Sequence, residues 1–188
     1  MTLSNDARTR VKGIFEPVAL AMGRAGLTPD ALTVIGFVIT VAGAVLIALG
    51  HWSLGGIVIF LGGIFDLFDG TLARATGKVS RLGAFLDSVF DRGGEAVVDV
   101  AIGTGAVLEG HARVPVLAAA AMAGAFMVSY VRAKAEGLGF SAGIGMAAIG
   151  LMPREVRLII LSIGLVLTDA PNIKGLEYAL GIIVIGAI

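Results

Sequence analysis

Four aspartates lie in a part of the chain that is otherwise apolar enough to cross a lipid bilayer: Asp66, Asp69, Asp87 and Asp91. A charged side chain at membrane depth is costly, so such residues normally face a water-filled cavity and serve a function. The first two are three residues apart and the last two are four apart, so each pair lies on one face of a helix. Two helices joined by a short turn around Gly77 therefore bring four carboxylates to one point. Oxygen ligands in that number suit Mg²⁺ or Mn²⁺.

The composition indicates a membrane protein. Of the 188 residues, 57% are hydrophobic and 15% are charged, and the mean hydropathy is +0.96. These values are typical of an integral membrane protein and not of a soluble domain. The absence of cysteine excludes disulfides, thiol catalysis and cysteine-ligated metals. The formal net charge is zero and gives no indication of a nucleic-acid partner, so none is expected.

The apolar segments predict an all-α integral membrane fold with six transmembrane helices, in a single domain over residues 1–188. An amphipathic juxtamembrane helix is predicted over residues 1–25, where apolar residues recur at helical spacing among basic ones; the alternative is a solvated leader. A glycine-rich connector separates the fourth and fifth spans. Except for the last, each span is near the ~20 residues that cross a bilayer. The spans are predicted at about residues 31–50, 54–75, 82–108, 116–136, 153–167 and 176–188.

Basic residues are divided unevenly between the two sides of this layout. Of 14 Lys and Arg residues, only Arg113 and Lys174 fall on the side away from the N-terminus. Cytoplasmic loops are rich in Lys and Arg, so the N-terminus is predicted to be cytoplasmic, and an even number of spans puts the C-terminus there too. At 1.5 Å per helical residue the aspartates lie roughly 15 Å from the cytoplasmic link. We therefore expect a multi-pass plasma-membrane protein whose site faces the cytoplasm.

The aspartates belong to a longer pattern with fixed spacing, D-x2-D-G-x2-A-R-x8-G-x3-D-x3-D. Every fixed position is filled, by Asp66, Asp69, Gly70, Ala73, Arg74, Gly83, Asp87 and Asp91. The pattern resembles the signature of the CDP-alcohol phosphatidyltransferase family, and the six-span layout extends the likeness to most of the chain. Such an enzyme transfers the phosphatidyl group of a CDP-linked lipid to an alcohol and releases CMP.

The resemblance implies roles for these residues. The four aspartates are implied to hold two ions of Mg²⁺ or Mn²⁺, and Asp91 is also implied to be the general base for the acceptor hydroxyl. Divalent ions there would bridge the pyrophosphate oxygens and stabilise the departing CMP. The CDP-linked lipid, CDP-diacylglycerol or CDP-archaeol, is implied to contact Pro29, Asp30, Thr33, Asp66, Asp69, Gly70, Ala73, Arg74, Gly83 and Asp87.

A group of polar residues at the predicted ends of the fourth and fifth spans indicates where a phosphorylated acceptor binds. Its members are Ser129, Arg132, Lys134, Arg154 and Arg157. The alternative is positive-inside flanking charge that binds no ligand. The motif SY-x-(K/R)-A-(K/R)-AE with a later R-x-x-R resembles the phosphatidylinositol-phosphate synthases of actinobacteria and their archaeal counterparts, which implies inositol 1-phosphate as the acceptor. Those enzymes tend to have RPER where this chain has REVR, so the acid has moved by one position.

Other interpretations stay open at the level of sequence. A phosphatidylglycerophosphate synthase, with glycerol 3-phosphate as its acceptor, also needs a phosphate pocket. An ion-coupled transporter could use the same carboxylates, although the sequence has no paired inverted halves. A purely structural explanation pairs the aspartates with Arg74, Arg81 and Arg92.

Two further features concern the interior and the assembly. Glu95 and Asp99 continue the Asp87–Asp91 stripe at four-residue steps, and we interpret them as cavity lining or as partners of a basic residue from a neighbouring subunit. The small residues of AAAAMAGA favour close helix packing or a dimer seam, and the family resemblance adds to the expectation of a homodimer.

Overall fold

The computed structural model describes residues 15–139, 152–168 and 172–187, and these residues form seven α-helices. The all-α prediction is confirmed, and each predicted span overlaps one helix. The first 14 residues of the predicted surface helix and most of the glycine-rich connector lie outside the described residues. The helices are α1 (residues 15–24), α2 (Pro29–Ala48), α3 (Trp52–Thr76), α4 (Arg81–Leu108), α5 (Arg113–Gly137), α6 (Arg154–Val166) and α7 (Lys174–Ala187).

Helices α2 to α7 pack into a closed ring. The order around the ring is α2, α3, α6, α7, α5 and α4, and α4 returns to α2. Helix α1 lies outside this ring and packs by Ala19 against Leu32 of α2 and Leu72 of α3. The main core lies between the ring helices and includes the fully buried side chains of Ile47, Ile59, Ile102, Leu165 and Leu180.

The outer surface of the ring is apolar, with large exposed side chains such as Val38, Val100, Val116 and Ile185. A continuous apolar exterior of this kind suits lipid and not water. Helices α2, α3 and α5 are each long and apolar enough to cross a membrane. Helix α4 has 28 residues but carries the buried acids, while α6 and α7 have 13 and 14 residues. The described structure thus has three candidate spans.

Four glycines allow α2 and α3 to pack closely. A methyl group at Gly36 would lie 3.2 Å from the carbonyl oxygen of Gly62, and one at Gly43 would lie 3.1 Å from that of Gly55. The two pairs are seven residues apart on antiparallel helices, so the contact repeats every two turns. The sequence predicts close helix packing at the alanine-rich part of α5, but it does not predict this glycine contact between α2 and α3. The contact brings α2 beside the first aspartate pair.

A link over residues 77–80 turns the chain from α3 into α4. Gly77 has a φ of 67°, in the left-handed region that favours glycine at the end of a helix. Ser80 caps α4, because its hydroxyl accepts a 2.9 Å hydrogen bond from the amide of Gly83. Helices α3 and α4, both fully described, pack against α2 and not against each other. A cleft therefore lies between the two aspartate-bearing helices, as the turn around Gly77 predicts.

Candidate active site

Three carboxylates meet in the cleft between α3 and α4. Asp66, Asp69 and Asp87 each place one oxygen within 4.8 Å of the oxygens of the other two. Asp69 is only 5% exposed, whereas the other two are half-buried and face the cleft. A donor set made only of carboxylate oxygens fits a hard divalent cation such as Mg²⁺ or Mn²⁺. Asp91 lies outside this three-carboxylate group.

Thr33 of α2 orients the buried carboxylate of Asp69. Its hydroxyl donates a 2.5 Å hydrogen bond to Asp69 Oδ2, and the amide of Gly70 donates to Oδ1. Partners of this kind hold a metal-binding carboxylate in one orientation. Thr33 is predicted from the family resemblance to contact the CDP-linked lipid. In the structure it contacts a predicted metal ligand and also lines the cavity described below.

Arg154 of α6 bridges two of the aspartates. Its Nη1 atom lies 2.5 Å from Asp66 Oδ2 and 2.6 Å from Asp91 Oδ1. Only the first contact has hydrogen-bond geometry, and Asp91 Oδ1 is buried without a hydrogen bond among the described residues. One guanidinium therefore neutralises two carboxylates. The purely structural explanation predicts ion pairs between the aspartates and other arginines. The ion pairs that the structure shows on the aspartates are made by Arg154 instead.

One turn beyond Asp91, Glu95 is paired within the same chain. Its Oε1 atom accepts hydrogen bonds from Arg157 Nη2 at 2.5 Å and Arg157 Nε at 3.2 Å, while Oε2 pairs with Arg92. Arg157 is 6% exposed and also donates to the carbonyl of Met152 at 3.0 Å. Because Glu95 has these partners, a basic residue from a neighbouring subunit is not needed to explain it.

A cavity of about 260 Å³ lies at the start of α2, between α3 and α4. Of the ten residues predicted to contact the CDP-linked lipid, all except Asp66 line it: Pro29, Asp30, Thr33, Asp69, Gly70, Ala73, Arg74, Gly83 and Asp87. Lys78, Val79, Ser80 and Ala84 complete its wall. The sequence did not predict these four residues, because they line the cavity through the path of the α3–α4 link and the first turn of α4 and belong to no spaced motif.

The residues predicted for the acceptor phosphate are divided between two places. Arg154 and Arg157 line a second, smaller cavity of about 50 Å³. The other three belong to the last part of α5, where the hydroxyl of Ser129 donates to the carbonyl of Ala125 at 2.9 Å and Arg132 and Lys134 are exposed. None of these three lines either cavity. The structure therefore brings one of the five predicted residues, Arg154, into contact with the aspartates, whereas Arg157 contacts Glu95.

The sequence matches the family described as CDP-alcohol phosphatidyltransferase over residues 26–187. It is 41% identical over 156 residues to the archaetidylinositol phosphate synthase of Pyrococcus horikoshii, an alignment that covers 83% of this chain and 78% of the relative. It is 35% identical over 167 residues to the phosphatidylinositol phosphate synthase of Mycobacteroides abscessus, covering 86% of this chain and 72% of the relative.

Solved structures of the phosphatidylinositol phosphate synthase of Mycobacterium tuberculosis have a similar fold. The one with CDP-DAG bound has a TM-score of 0.80 and 30% sequence identity, over 93% of this chain and 87% of that chain. The complex with manganese and citrate has a TM-score of 0.80 and 29% identity, over 92% and 83%. Because the family match runs through both aspartate-bearing helices and the remainder of the ring, the chain belongs to the CDP-alcohol phosphatidyltransferase family and is an enzyme of that class.

Proposed function

We propose that this protein transfers the phosphatidyl group of a CDP-linked lipid to inositol 1-phosphate and releases CMP. The observation that carries this proposal is the 260 Å³ cavity, in which the residues implied for the CDP-linked lipid surround two of the three clustered carboxylates. The relatives named as inositol phosphate synthases support the acceptor, and the neighbour with CDP-DAG bound supports the donor. The lipid is CDP-diacylglycerol or CDP-archaeol.

The aspartates Asp66, Asp69, Asp87 and Asp91 are the residues that would hold two divalent ions. The three-carboxylate cluster and the manganese complex of the neighbour support a divalent-metal enzyme, with Mg²⁺ or Mn²⁺ as the ion. Bound there, divalent cations would neutralise the diphosphate and stabilise the leaving CMP. Thr33 keeps Asp69 oriented toward the cleft, and the absence of side chains at Gly70 and Gly83 leaves room for the nucleotide.

Asp91 is the proposed general base. Its carboxylate lies one helical turn from Asp87, and its buried Oδ1 atom has no hydrogen bond within the described structure. Asp91 takes the proton of the acceptor hydroxyl while that oxygen attacks the β-phosphorus, and the bond from this phosphorus to the CMP oxygen breaks. Arg154 and Arg157 bind the acceptor phosphate, with Ser129, Arg132 and Lys134 at its outer side.

The proposed enzyme is a single domain over residues 1–188 that crosses the plasma membrane six times, with both termini and the active site on the cytoplasmic side. The three candidate spans and the excess of basic residues on one side support this layout. Helices α4, α6 and α7 would be the other three spans. The small residues of α5 and the family resemblance support a homodimer.

An acceptor panel tests the proposal. The purified protein receives labelled CDP-diacylglycerol or CDP-archaeol, Mg²⁺, and inositol 1-phosphate, glycerol 3-phosphate, free inositol or no acceptor. We expect CMP release and a labelled phospholipid with inositol 1-phosphate. Product with glycerol 3-phosphate alone would indicate a phosphatidylglycerophosphate synthase, and no CMP release with any acceptor would refute the transferase assignment.

A further inference from the structure

Asp99 is a buried acid with no partner among the residues that the structure describes. It is 9% exposed, and it makes no hydrogen bond or ion pair with any other described residue. It lines the 50 Å³ cavity together with Glu95, Arg154 and Arg157. An unpaired carboxylate in the interior of a membrane helix ring is costly, so its presence needs an explanation. The activity described above does not use it.

The cavity joins two series of charged residues that face each other. On α4 the acids Asp91, Glu95 and Asp99 follow at four-residue steps, and on α6 the arginines Arg154 and Arg157 are three residues apart, so each series lies on one helix face. Arg154 contacts Asp91, and Arg157 contacts Glu95. Two arginines therefore face three acids, and the acid farthest from the aspartate cluster is left over.

We propose that Asp99 is a positioning residue that receives Arg157 when divalent cations occupy the aspartate cluster, so that both arginines move by one acid along α4. Arg154 then leaves Asp66 and Asp91 for Glu95, and Arg157 leaves Glu95 for Asp99, while the remaining N–H groups of each guanidinium stay available to the acceptor phosphate. This inference rests on the metal site of the proposed function. It gives Asp99 a partner, Arg157, in the metal-bound state.

The physical reason is competition between cations for the same carboxylates. Arg154 neutralises Asp66 and Asp91 in the structure, and divalent ions on the aspartates would repel its guanidinium. A buried guanidinium needs a new carboxylate, and the next one along α4, Glu95, is already paired with Arg157 at Oε1 and with Arg92 at Oε2. Asp99 resolves this conflict, since it offers Arg157 an acceptor inside a cavity that both side chains already line. The shift also removes Arg154 from Asp91, the proposed base.

Manganese binding measured by electron paramagnetic resonance tests this proposal on the purified full-length protein without substrates. Asp99→Asn leaves Arg157 without a second acceptor, so Arg154 stays on the aspartates and competes with Mn²⁺. We expect Mn²⁺ affinity to fall by about tenfold, within the range of coupling between neighbouring buried groups. Asp99→Glu should bind Mn²⁺ more tightly than Asp99→Asn. Glu109→Gln, at the far end of α4 where Glu109 accepts from Trp52 Nε1 at 2.9 Å, should leave the affinity unchanged.

A second substitution separates this role from general damage or a distant charge effect. Arg157→Gln makes Oε1 of Glu95 available to Arg154 while Oε2 keeps its pair with Arg92, so adding Asp99→Asn in that background should no longer weaken Mn²⁺ binding. Thermal unfolding of each variant without metal verifies that it is folded. Wild-type affinity in Asp99→Asn, or equal weakening with and without Arg157, would overturn the proposal. A wild-type protein that binds no Mn²⁺ would overturn the metal site of the proposed function itself, which is a different result.

Discussion

Thr33 of α2 donates a 2.5 Å hydrogen bond to Asp69 Oδ2 of α3, across 36 residues of sequence. Both side chains are 5% exposed. The bond joins a residue outside the aspartate pattern to the most buried carboxylate of the cluster, at the point where the glycine contact brings α2 and α3 together. Thr33 therefore contributes to the site by orienting a carboxylate as well as by lining the cavity.

Removing this hydrogen bond should impair the enzyme without changing its shape. Thr33→Val keeps the side-chain volume but leaves Asp69 without its donor, and loss of a partner of this kind typically costs 10- to 100-fold in metal affinity or activity. We expect CMP release to fall by about tenfold and more Mn²⁺ to be needed for half-maximal rate. Thr33→Ser keeps the hydroxyl and is the control; equal activity of the two variants would contradict the role of the bond.

Divalent cations should stabilise the folded protein. The carboxylates of Asp66, Asp69 and Asp87 repel one another when no cation lies between them, and a ligand at one hundred times its Kd adds about 2.7 kcal/mol to the free energy of unfolding. We expect Mn²⁺ to raise the melting temperature and EDTA to reverse the rise and abolish activity. Asp87→Asn should show little of this shift, and Glu109→Gln should show all of it. A full shift in Asp87→Asn would place the ion elsewhere.

Asp91 should be needed for turnover but not for nucleotide binding. Asp91→Asn keeps the shape of the side chain but cannot accept a proton from the acceptor hydroxyl. General bases typically contribute 10²- to 10⁴-fold, so we expect CMP release to fall by at least about 100-fold while CDP-lipid still binds. Asp91 does not line the 260 Å³ cavity, which is why binding should persist. Full turnover in this variant would refute its assignment as the base.

A large side chain at Gly83 should block the nucleotide cavity. A Cβ atom there would already lie 3.2 Å from Asp30 Oδ1, so Gly83→Leu projects into the space proposed for CDP. We expect CDP-lipid binding to be lost while Mn²⁺ still binds. Gly181→Leu is the matched control, because a Cβ at Gly181 meets nothing within 4 Å among the described residues, and it should retain activity. Normal CDP-lipid affinity in Gly83→Leu would contradict the proposal that this cavity binds the CDP-linked lipid.

The exposed cations of α5 provide a test of the acceptor pocket. Replacing Arg132 and Lys134 together by Gln should raise KM for inositol 1-phosphate but leave KM for the CDP-linked lipid unchanged. The melting temperature should change little, because exposed substitutions usually alter stability by less than about 0.5 kcal/mol. Lys174→Gln, predicted to lie on the opposite side of the membrane, is the control. An unchanged KM for the acceptor would indicate that the two cations serve only membrane orientation.

The chemistry of the site was predictable because it depends on the spacing of the aspartates along the sequence. Asp66 and Asp69, and then Asp87 and Asp91, are separated by three and four residues, and helix geometry alone puts each pair on one face. Gly77 predicts the turn between α3 and α4, and the structure has that turn with a φ of 67°. The helix class follows from the apolar segments, whereas nine of the residues that line the CDP cavity were implied by the family resemblance.

The partners of these residues depend on the tertiary structure. Arg154 lies 88 residues from Asp66 in sequence, and its place in the sequence predicts a contact with an acceptor phosphate instead. Only the packing of α6 against α3 brings the two side chains together. The sequence by itself determined which groups line the interior, since a period of 3.6 residues decides which side of a helix each one occupies. The order of the helices around the ring decided which charges meet, because side-chain pairing across helices depends on long-range packing that no local pattern encodes.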